Sequence, residues 1–190
     1  MIFPIFEAQH FDKNNFGVAL ARGEYANCTF NGCDFAGGDL SGFKFLECQF
    51  ADCNLSMVKL VGTVFGDVQF TNCKLIGTQF DSCNKFGFNV SYLQCNLSHA
   101  SFYKLPMKKS CFRDSNLEEV DFTEADLSQA TFDGCNLSRA IFEQTRLEKA
   151  DFRKAIHYSI NPANNKIKKA QFSLAGLPGL LADYDIFIET

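Results

Sequence analysis

The residues best suited to chemistry in this chain are nine cysteines and three histidines. His10, His99 and His157 are far apart in sequence, so we expect surface or capping positions and no shared site. Zinc sites usually pair cysteines across two to four residues of a tight turn, whereas most of these cysteines follow a five-residue spacing. We therefore expect reduced, buried thiols that pack as small apolar groups, and no metal or cofactor. Eight thiols share one phase of that spacing, and only Cys111 lies off it: Cys28, Cys33, Cys48, Cys53, Cys73, Cys83, Cys95 and Cys135.

Catalytic motifs and targeting signals are both missing from the sequence. It contains no GxSxG, HExxH or phosphate-loop pattern, so we predict that the protein is not an enzyme. The net charge of −4 disfavours a broad basic field, and with it direct binding to nucleic acid. No apolar run approaches the roughly 20 residues of a membrane-spanning helix, and the N-terminus lacks a basic signal start. We expect a soluble, cytoplasmic protein.

The most distinctive charged feature is a run of carboxylates between Asp114 and Gly134 that contains no lysine or arginine. A basic stretch, residues 104–113, comes immediately before it. Two interpretations of this run remain open. It is either a solvated surface that keeps the protein soluble or an interaction surface. We call it the acidic belt, and it consists of Asp114, Glu118, Glu119, Asp121, Glu124, Asp126 and Asp133.

The element that positions these residues is a five-residue repeat. From Leu20 to Phe80 every fifth residue is bulky and apolar, and after a slip of two the same holds from Tyr92 to Phe152. Two residues before each of these centres the side chain is usually small, with Phe43 as an exception. Because residues two apart in an extended segment point to the same side, each unit directs one large and one small group inward. The remaining three positions face water.

This pattern resembles the pentapeptide-repeat family, whose units read A(D/N)LXX, as in EADLS at 124–128 and GCNLS at 134–138. The resemblance implies an all-β, right-handed quadrilateral parallel β-helix, in which four units form each coil. Columns of inward residues should then recur once per coil and continue across the slip, where one coil is longer by two. One predicted column has aromatic rings throughout: Phe30, Phe50, Phe70, Tyr92, Phe112, Phe132 and Phe152.

We divide the chain into residues 1–157, the β-helix, and residues 158–190, a C-terminal cap. Residues 1–17, in which Phe6, Phe11 and Phe16 are five residues apart, are expected to form an irregular first coil. A two-residue insertion is expected near 85–91, where Phe86 and Phe88 compete for one inward position. Ser173 should cap a short apolar helix near 173–183, and a brief strand should follow around Ile186 and Ile188. The helix carries a stripe of Leu174, Leu177, Leu180 and Leu181, which either covers the last coil or joins two copies into a homodimer.

Two functions remain open at this point. The chain resembles Qnr-type quinolone-protection proteins, and this implies a rod that imitates DNA and binds DNA gyrase or topoisomerase IV through its acidic belt. It departs from that group in its modest net charge and in its short insertion. The alternative is a structural scaffold or regulatory partner-binding module unrelated to topoisomerases. Both are non-enzymatic interaction proteins.

Overall fold

The computed structural model describes residues 3–13, 20–184 and 186–187. Three parts of the sequence prediction therefore lie outside the described residues. They are Phe16 of the first coil, the small inward position at Val18, and residues 188–190 of the predicted C-terminal strand. The described chain forms a parallel β-solenoid with little helix, as predicted. A four-stranded sheet has the order β1-β3-β5-β7, and a seven-stranded sheet runs β2-β4-β6-β8-β9-β10-β11. The strands are β1 Ile5–Glu7, β2 His10–Asp12, β3 Glu24–Ala26, β4 Thr29–Asn31, β5 Lys44–Leu46, β6 Gln49–Ala51, β7 Val64–Gly66, β8 Val68–Thr71, β9 Val90–Leu93, β10 Cys111–Arg113 and β11 Thr131–Asp133.

The solenoid has four faces, which we number by the columns of inward centres. Face 1 contains Tyr25, face 2 contains Phe30, face 3 contains Phe35 and face 4 contains Leu40. Faces 1 and 2 carry the two sheets. Faces 3 and 4 are held by single parallel bridges between successive coils, such as Asp34 with Asn54 and Asp39 with Lys59. Residues at equivalent positions of successive coils are therefore neighbours in space.

The corners explain why the repeat has five residues. Two positions after most centres the backbone enters the left-handed region, as at Glu47 with φ 53° and Glu124 with φ 57°. This conformation turns the extended chain onto the next face. Glycine adopts it without the Cβ strain that other residues bear, and Gly62 and Gly134 occupy such corners with φ of 68° and 69°. Three extended residues and a two-residue corner thus make one side of the square.

The predicted aromatic column is confirmed and extends one ring further at each end. From Phe11 to Phe172 its consecutive rings stack at centroid distances of 4.5 to 5.4 Å. This spacing suits both aromatic stacking and the distance between neighbouring strands. The predicted first coil is also present in part, because β1 and β2 pair with β3 and β4. Its pairing of Ile5 with Glu24 makes this coil one position shorter than the next, which pairs Glu24 with Lys44.

The insertion lies where the sequence predicts it. Asn84 donates its N–H to the carbonyl of Thr63, just as Val64 does to that of Phe43 one coil earlier, so the regular step still holds at Asn84. Val68, in contrast, pairs with Val90, two positions beyond the regular step. The two extra residues therefore fall between Asn84 and Val90. Phe88 takes the inward position and is 7% exposed, whereas Phe86 is 89% exposed. The competition between them is thus decided in favour of Phe88.

The coil continues past His157, the residue at which the sequence analysis ended the repeat. Arg146 bridges Lys166 and Asp151 bridges Gln171, both at the regular step of one coil. The pattern was obscured because the centres at His157 and Pro162 are not bulky apolar residues. Buried Tyr158 and Ile160 fill the interior there, and Phe172 then stacks on Phe152 at 5.4 Å. The regular pairing therefore extends to about residue 172.

The C-terminal segment contains a 3₁₀ helix at Leu174–Leu180 and a second one at Ala182–Tyr184. Ser173 caps the first helix as predicted, because its hydroxyl accepts the N–H of Gly176 at 3.2 Å. Two glycines and Pro178 disfavour a regular α-helix in this segment. The described Ile186 and Phe187 are not part of a strand, contrary to the prediction. Within the described residues, no helix is long and apolar enough to cross a membrane.

Candidate functional site

The acidic belt encircles the rod, as the sequence predicts. Asp114 lies on face 2 after β10, Glu118 and Glu119 on face 3, Glu124 on face 4 and Asp126 on face 1. Buried neighbours such as Leu117, Phe122 and Leu127 turn these carboxylates outward, because inward and outward positions alternate. Asp121 is also on face 4, and Asp133 is on face 2 of the next coil. All seven carboxylates are at least partly exposed.

The acidic run contains no base of its own, but bases of the neighbouring coils compensate part of its charge. Arg139 Nε lies 2.6 Å from a carboxylate oxygen of Glu119, and the same guanidinium bonds Glu118. Both contacts connect face 3 to the next coil. His99 Nδ1 also lies 3.0 Å from Glu119. These bases are a whole coil away from their partners in sequence, so a search within the acidic run itself could not find them.

Three further belt carboxylates are paired across coils. Glu124 lies 3.2 Å from Lys104 Nζ and accepts the Tyr103 hydroxyl at 3.2 Å. On face 1 Asp126 lies 3.7 Å from Arg146. Asp133 lies 3.1 Å from Lys154. Exposed pairs of this kind contribute about 0–1 kcal/mol each, so they reduce the belt's negative field more than they stabilise the fold.

The carboxylates of Asp114 and Asp121 form no ion pair with a base of the described residues. Asp121 instead caps its corner, where one carboxylate oxygen accepts the N–H of Thr123 at 2.8 Å. No base of the described residues lies in ion-pair contact with either carboxylate. The strongest free negative charge of the belt is therefore at these two positions.

Asp126 shows how the local environment keeps a belt carboxylate ionised. Partial burial acts to raise its pKa, but hydrogen bonds from Ser128 and the charges of Arg146 and Lys108 outweigh that effect. The net pKa of Asp126 is below its ordinary value. On the neighbouring face the Tyr103 hydroxyl and the Glu124 carboxylate raise the pKa of Lys104. Both groups are fully charged at neutral pH.

The predicted burial of the cysteines is confirmed: the eight thiols that share one phase of the repeat are buried, and Cys111 is partly exposed. Most of the inward thiols donate to a backbone carbonyl of the preceding coil, as Cys48 Sγ does to Tyr25 O at 3.2 Å. Thr63 uses its hydroxyl in the same way toward Leu40 O, at 2.7 Å. Burial raises the pKa of Cys135 to about 12, so that thiol is neutral and unreactive at neutral pH. The cysteines therefore serve packing and backbone hydrogen bonding.

The histidines do not meet one another. His10 bonds Thr29 at 2.6 Å, His99 faces Glu119, and His157 bonds Asn136 at 3.1 Å. Each imidazole thus binds a residue of the adjacent coil and occupies a different level of the rod. The described residues contain no group of three or more histidine, cysteine or acidic side chains arranged to hold a metal ion.

The leucine stripe of the C-terminal segment is divided in two. Leu180 packs against the hydrophobic core. Leu174 is 85% exposed, and Leu177 and Leu181 are exposed as well. Tyr184, Ile186 and Phe187 follow in the chain and are also exposed. The segment therefore covers the last coil with one side and presents apolar side chains on another. We call the exposed set the apolar tip: Leu174, Leu177, Leu181, Tyr184, Ile186 and Phe187.

Comparison with known proteins agrees with this geometry. A family model described as a pentapeptide repeat region matches residues 24–85 and 88–172. Two trypsin-treated variants of QnrB1, a plasmid-mediated fluoroquinolone resistance protein, superpose with TM-scores of 0.63 and 0.62. Their identities to this chain are 20% and 17%, and each match covers 97% of both chains. At this identity the likeness shows the fold alone. No curated protein matches the sequence significantly.

Proposed function

Since this chain belongs to the pentapeptide repeat family, we propose that it is a non-enzymatic rod that binds another protein through its outer faces. The proposal rests on one observation: within each repeat, different positions build the core and the surface. Inward positions build a continuous core, whereas outward positions form flat, polar faces at regular steps. Such faces are free to vary without disturbing the core, and this is what a protein-binding scaffold requires.

The more specific proposal is that the partner is a type II topoisomerase, DNA gyrase or topoisomerase IV. A rigid rod ringed by carboxylates can present negative charge to the basic groove that otherwise holds DNA phosphates. The relation to a fluoroquinolone resistance protein suggests the consequence, which is protection of the enzyme from quinolones or toxins. In this proposal the protein acts in the cytoplasm, where its buried thiols stay reduced.

The ion pairs within the acidic belt affect how it could bind a topoisomerase. Glu118, Glu119 and Glu124 are held by Arg139 and Lys104, so a partner must compete with these bases or bind the free Asp114 and Asp121 first. We therefore expect a moderate, salt-sensitive affinity. The alternative is a scaffold or regulatory module whose partner is not a topoisomerase.

We further propose that two copies join at the apolar tip to form a homodimer. Leu174 and Phe187 are almost fully exposed at the end of the rod, and contiguous apolar surface of this kind marks association sites. A two-fold contact would bury the same residues of both copies and cover the end of each solenoid. Leu180 would not take part, because it already packs on the core.

Binding of purified protein to immobilised gyrase tests the topoisomerase proposal. Wild-type protein should bind at 50 mM salt and lose most of its affinity at 200 mM. Replacing Glu118, Glu119 and Glu124 by Gln should weaken binding, whereas the same change at Glu7, Glu24 and Glu47 on the N-terminal coils should not. Equal effects of the two triple variants would remove the belt from the proposal. No binding at low salt would leave the scaffold alternative.

A further inference from the structure

A basic surface lies on face 1 of the last four coils, although the protein as a whole is acidic. It is formed by residues 106–109, 126–129, 146–149 and 166–169, and we call it the lysine face. Parallel bridges join Pro106 to Asp126, Asp126 to Arg146 and Arg146 to Lys166, so the four segments are adjacent. Because a full coil of sequence separates each segment from the next, the cluster is not visible as a charge run.

The lysine face concentrates positive charge. Its sixteen residues include seven bases and two acids, an excess of five, whereas the rest of the chain has eleven bases against twenty acids. All seven bases are exposed. Arg146 lies near Asp126 and Glu148, at 3.7 and 3.8 Å. The six lysines form no ion pair with any described residue: Lys108, Lys109, Lys149, Lys166, Lys168 and Lys169.

Like charges on neighbouring strands repel one another, and this repulsion is relieved when an anion binds. Lys149 donates its backbone N–H to the carbonyl of Lys168 at 3.0 Å, so the corners of these two coils lie directly side by side. Lys168 and Lys169 follow each other at the corner of the last coil. The fold thus brings the backbones of several lysines together, and none of these lysines has an ion-pair partner in the described chain.

The side chains around these lysines indicate which class of anion the lysine face can bind. The outward positions of the four segments contain no aromatic residue, and Pro106 is their one apolar side chain. The face therefore lacks the stacking groups that single-stranded nucleic acids use and the apolar groups that insert into membranes. A long DNA duplex would run on along the rod into its acidic coils, where it would be repelled.

The dimensions fit a short extended peptide. Three strand steps of about 4.8 Å make the face roughly 14 Å long, the length of about five extended residues. We propose that the lysine face binds an acidic, extended segment of a partner protein. This surface is distinct from the topoisomerase contact of the belt, although Asp126 belongs to both, and either can exist without the other.

Fluorescence anisotropy with a labelled peptide of eight glutamates tests this proposal. The peptide should bind wild-type protein at 50 mM salt and bind about tenfold more weakly at 200 mM. Replacing Lys149, Lys168 and Lys169 by Gln should weaken binding about tenfold, as expected for the loss of three exposed ion pairs. The matched control replaces Lys44, Lys59 and Lys74 by Gln, which removes the same charge from the N-terminal coils. It should change the affinity less than twofold.

Three results would overturn the inference. Equal losses in the two triple variants would mean that only net charge matters. Absence of binding at 50 mM salt would mean that the face is merely solvated. Tighter binding of an equally labelled 12-base-pair DNA duplex than of the peptide would assign the face to nucleic acid. Thermal melting of all variants monitors folding, and because the substituted side chains are exposed their melting temperatures should agree within a few degrees.

Discussion

Raising the pH should destabilise this protein, because the unfolded chain ionises thiols that the folded protein keeps neutral. Cys83 and Cys135 are 5% and 0% exposed, so both thiols lie in the protein interior. Burial raises the pKa of Cys135 to about 12. Burial, followed by the charge of Asp81, raises the pKa of Cys83 as well. In the unfolded chain both thiols ionise near 9.0.

The sign of the effect follows from proton linkage. Below pH 9 both states keep these protons, so the thiols contribute their full stability. Above pH 9 the unfolded state loses them while the folded state retains them, and the free energy of unfolding falls as the pH rises toward the folded-state pKa. At pH 10 the loss is about 1.4 kcal/mol for each thiol, or about 3 kcal/mol for Cys83 and Cys135 together. That is a large part of a typical stability of about 5–15 kcal/mol.

Guanidinium unfolding at pH 7, 8.5 and 10 with a reductant present measures this effect. The comparison is with the double variant Cys83→Ala and Cys135→Ala, since alanine occupies the same inward position at Ala125 and Ala130. The variant should be less stable at pH 7 but should lose about 3 kcal/mol less between pH 7 and 10. Lysines and tyrosines titrate equally in both proteins and cancel. Identical pH dependence in the two proteins would refute the reasoning.

Three other perturbations follow from the structure. Phe112→Ala should cost about 3–5 kcal/mol in urea unfolding because it leaves a cavity between stacked rings, whereas Phe112→Leu should cost about 1–2 kcal/mol; equal costs would contradict the packing account. Leu177→Asp with Leu181→Asp should convert a dimer to monomers in sedimentation, and a monomeric wild type at tens of micromolar would end the dimer proposal. Arg139→Ala should change stability by less than about 1 kcal/mol yet tighten gyrase binding, because it frees Glu118 and its neighbour; weaker binding would argue against an acidic contact.

The fold could be predicted because the repeat places each core residue by a local rule. A large residue every five positions, with a small one two before it, fixes which side chains point inward. The four-unit coil then aligns Phe112 between Tyr92 and Phe132 without further information, and the structure stacks them at 5.2 and 5.1 Å. The insertion was equally readable, since a slip of two positions had to lie between Phe80 and Tyr92.

The surface was less predictable, because its neighbours are not neighbours in sequence. The acidic run contains no base, yet Arg139 and Lys104 lie one coil away from Glu119 and Glu124 and pair with them. The lysine face is hidden in the sequence for the same reason. The step of one coil that aligned the core could have paired these charges, but long exposed side chains choose among several partners. Only the structure shows which contact each one makes.

The end of the repeat was misplaced for a different physical reason. His157 and Pro162 occupy positions where a bulky apolar centre is expected, so the pattern stopped there. Tyr158 and Ile160 fill the interior from other positions of the coil, a substitution that the five-residue rule does not anticipate. The leucine spacing after Ser173 predicts a helix but does not distinguish an α-helix from a 3₁₀ helix. Pro178 and the glycines on either side of it account for the 3₁₀ form.

The supercoiling activity of purified gyrase is the most direct test of the proposal that this rod binds a type II topoisomerase through its acidic belt. The assay contains a fluoroquinolone and increasing amounts of wild-type protein or of the variant with Gln at Glu118, Glu119 and Glu124. We expect wild-type protein to change drug-inhibited supercoiling, and we expect the variant, which should be equally stable, to change it less. No change in supercoiling with or without the drug, at protein concentrations well above that of gyrase, would contradict it.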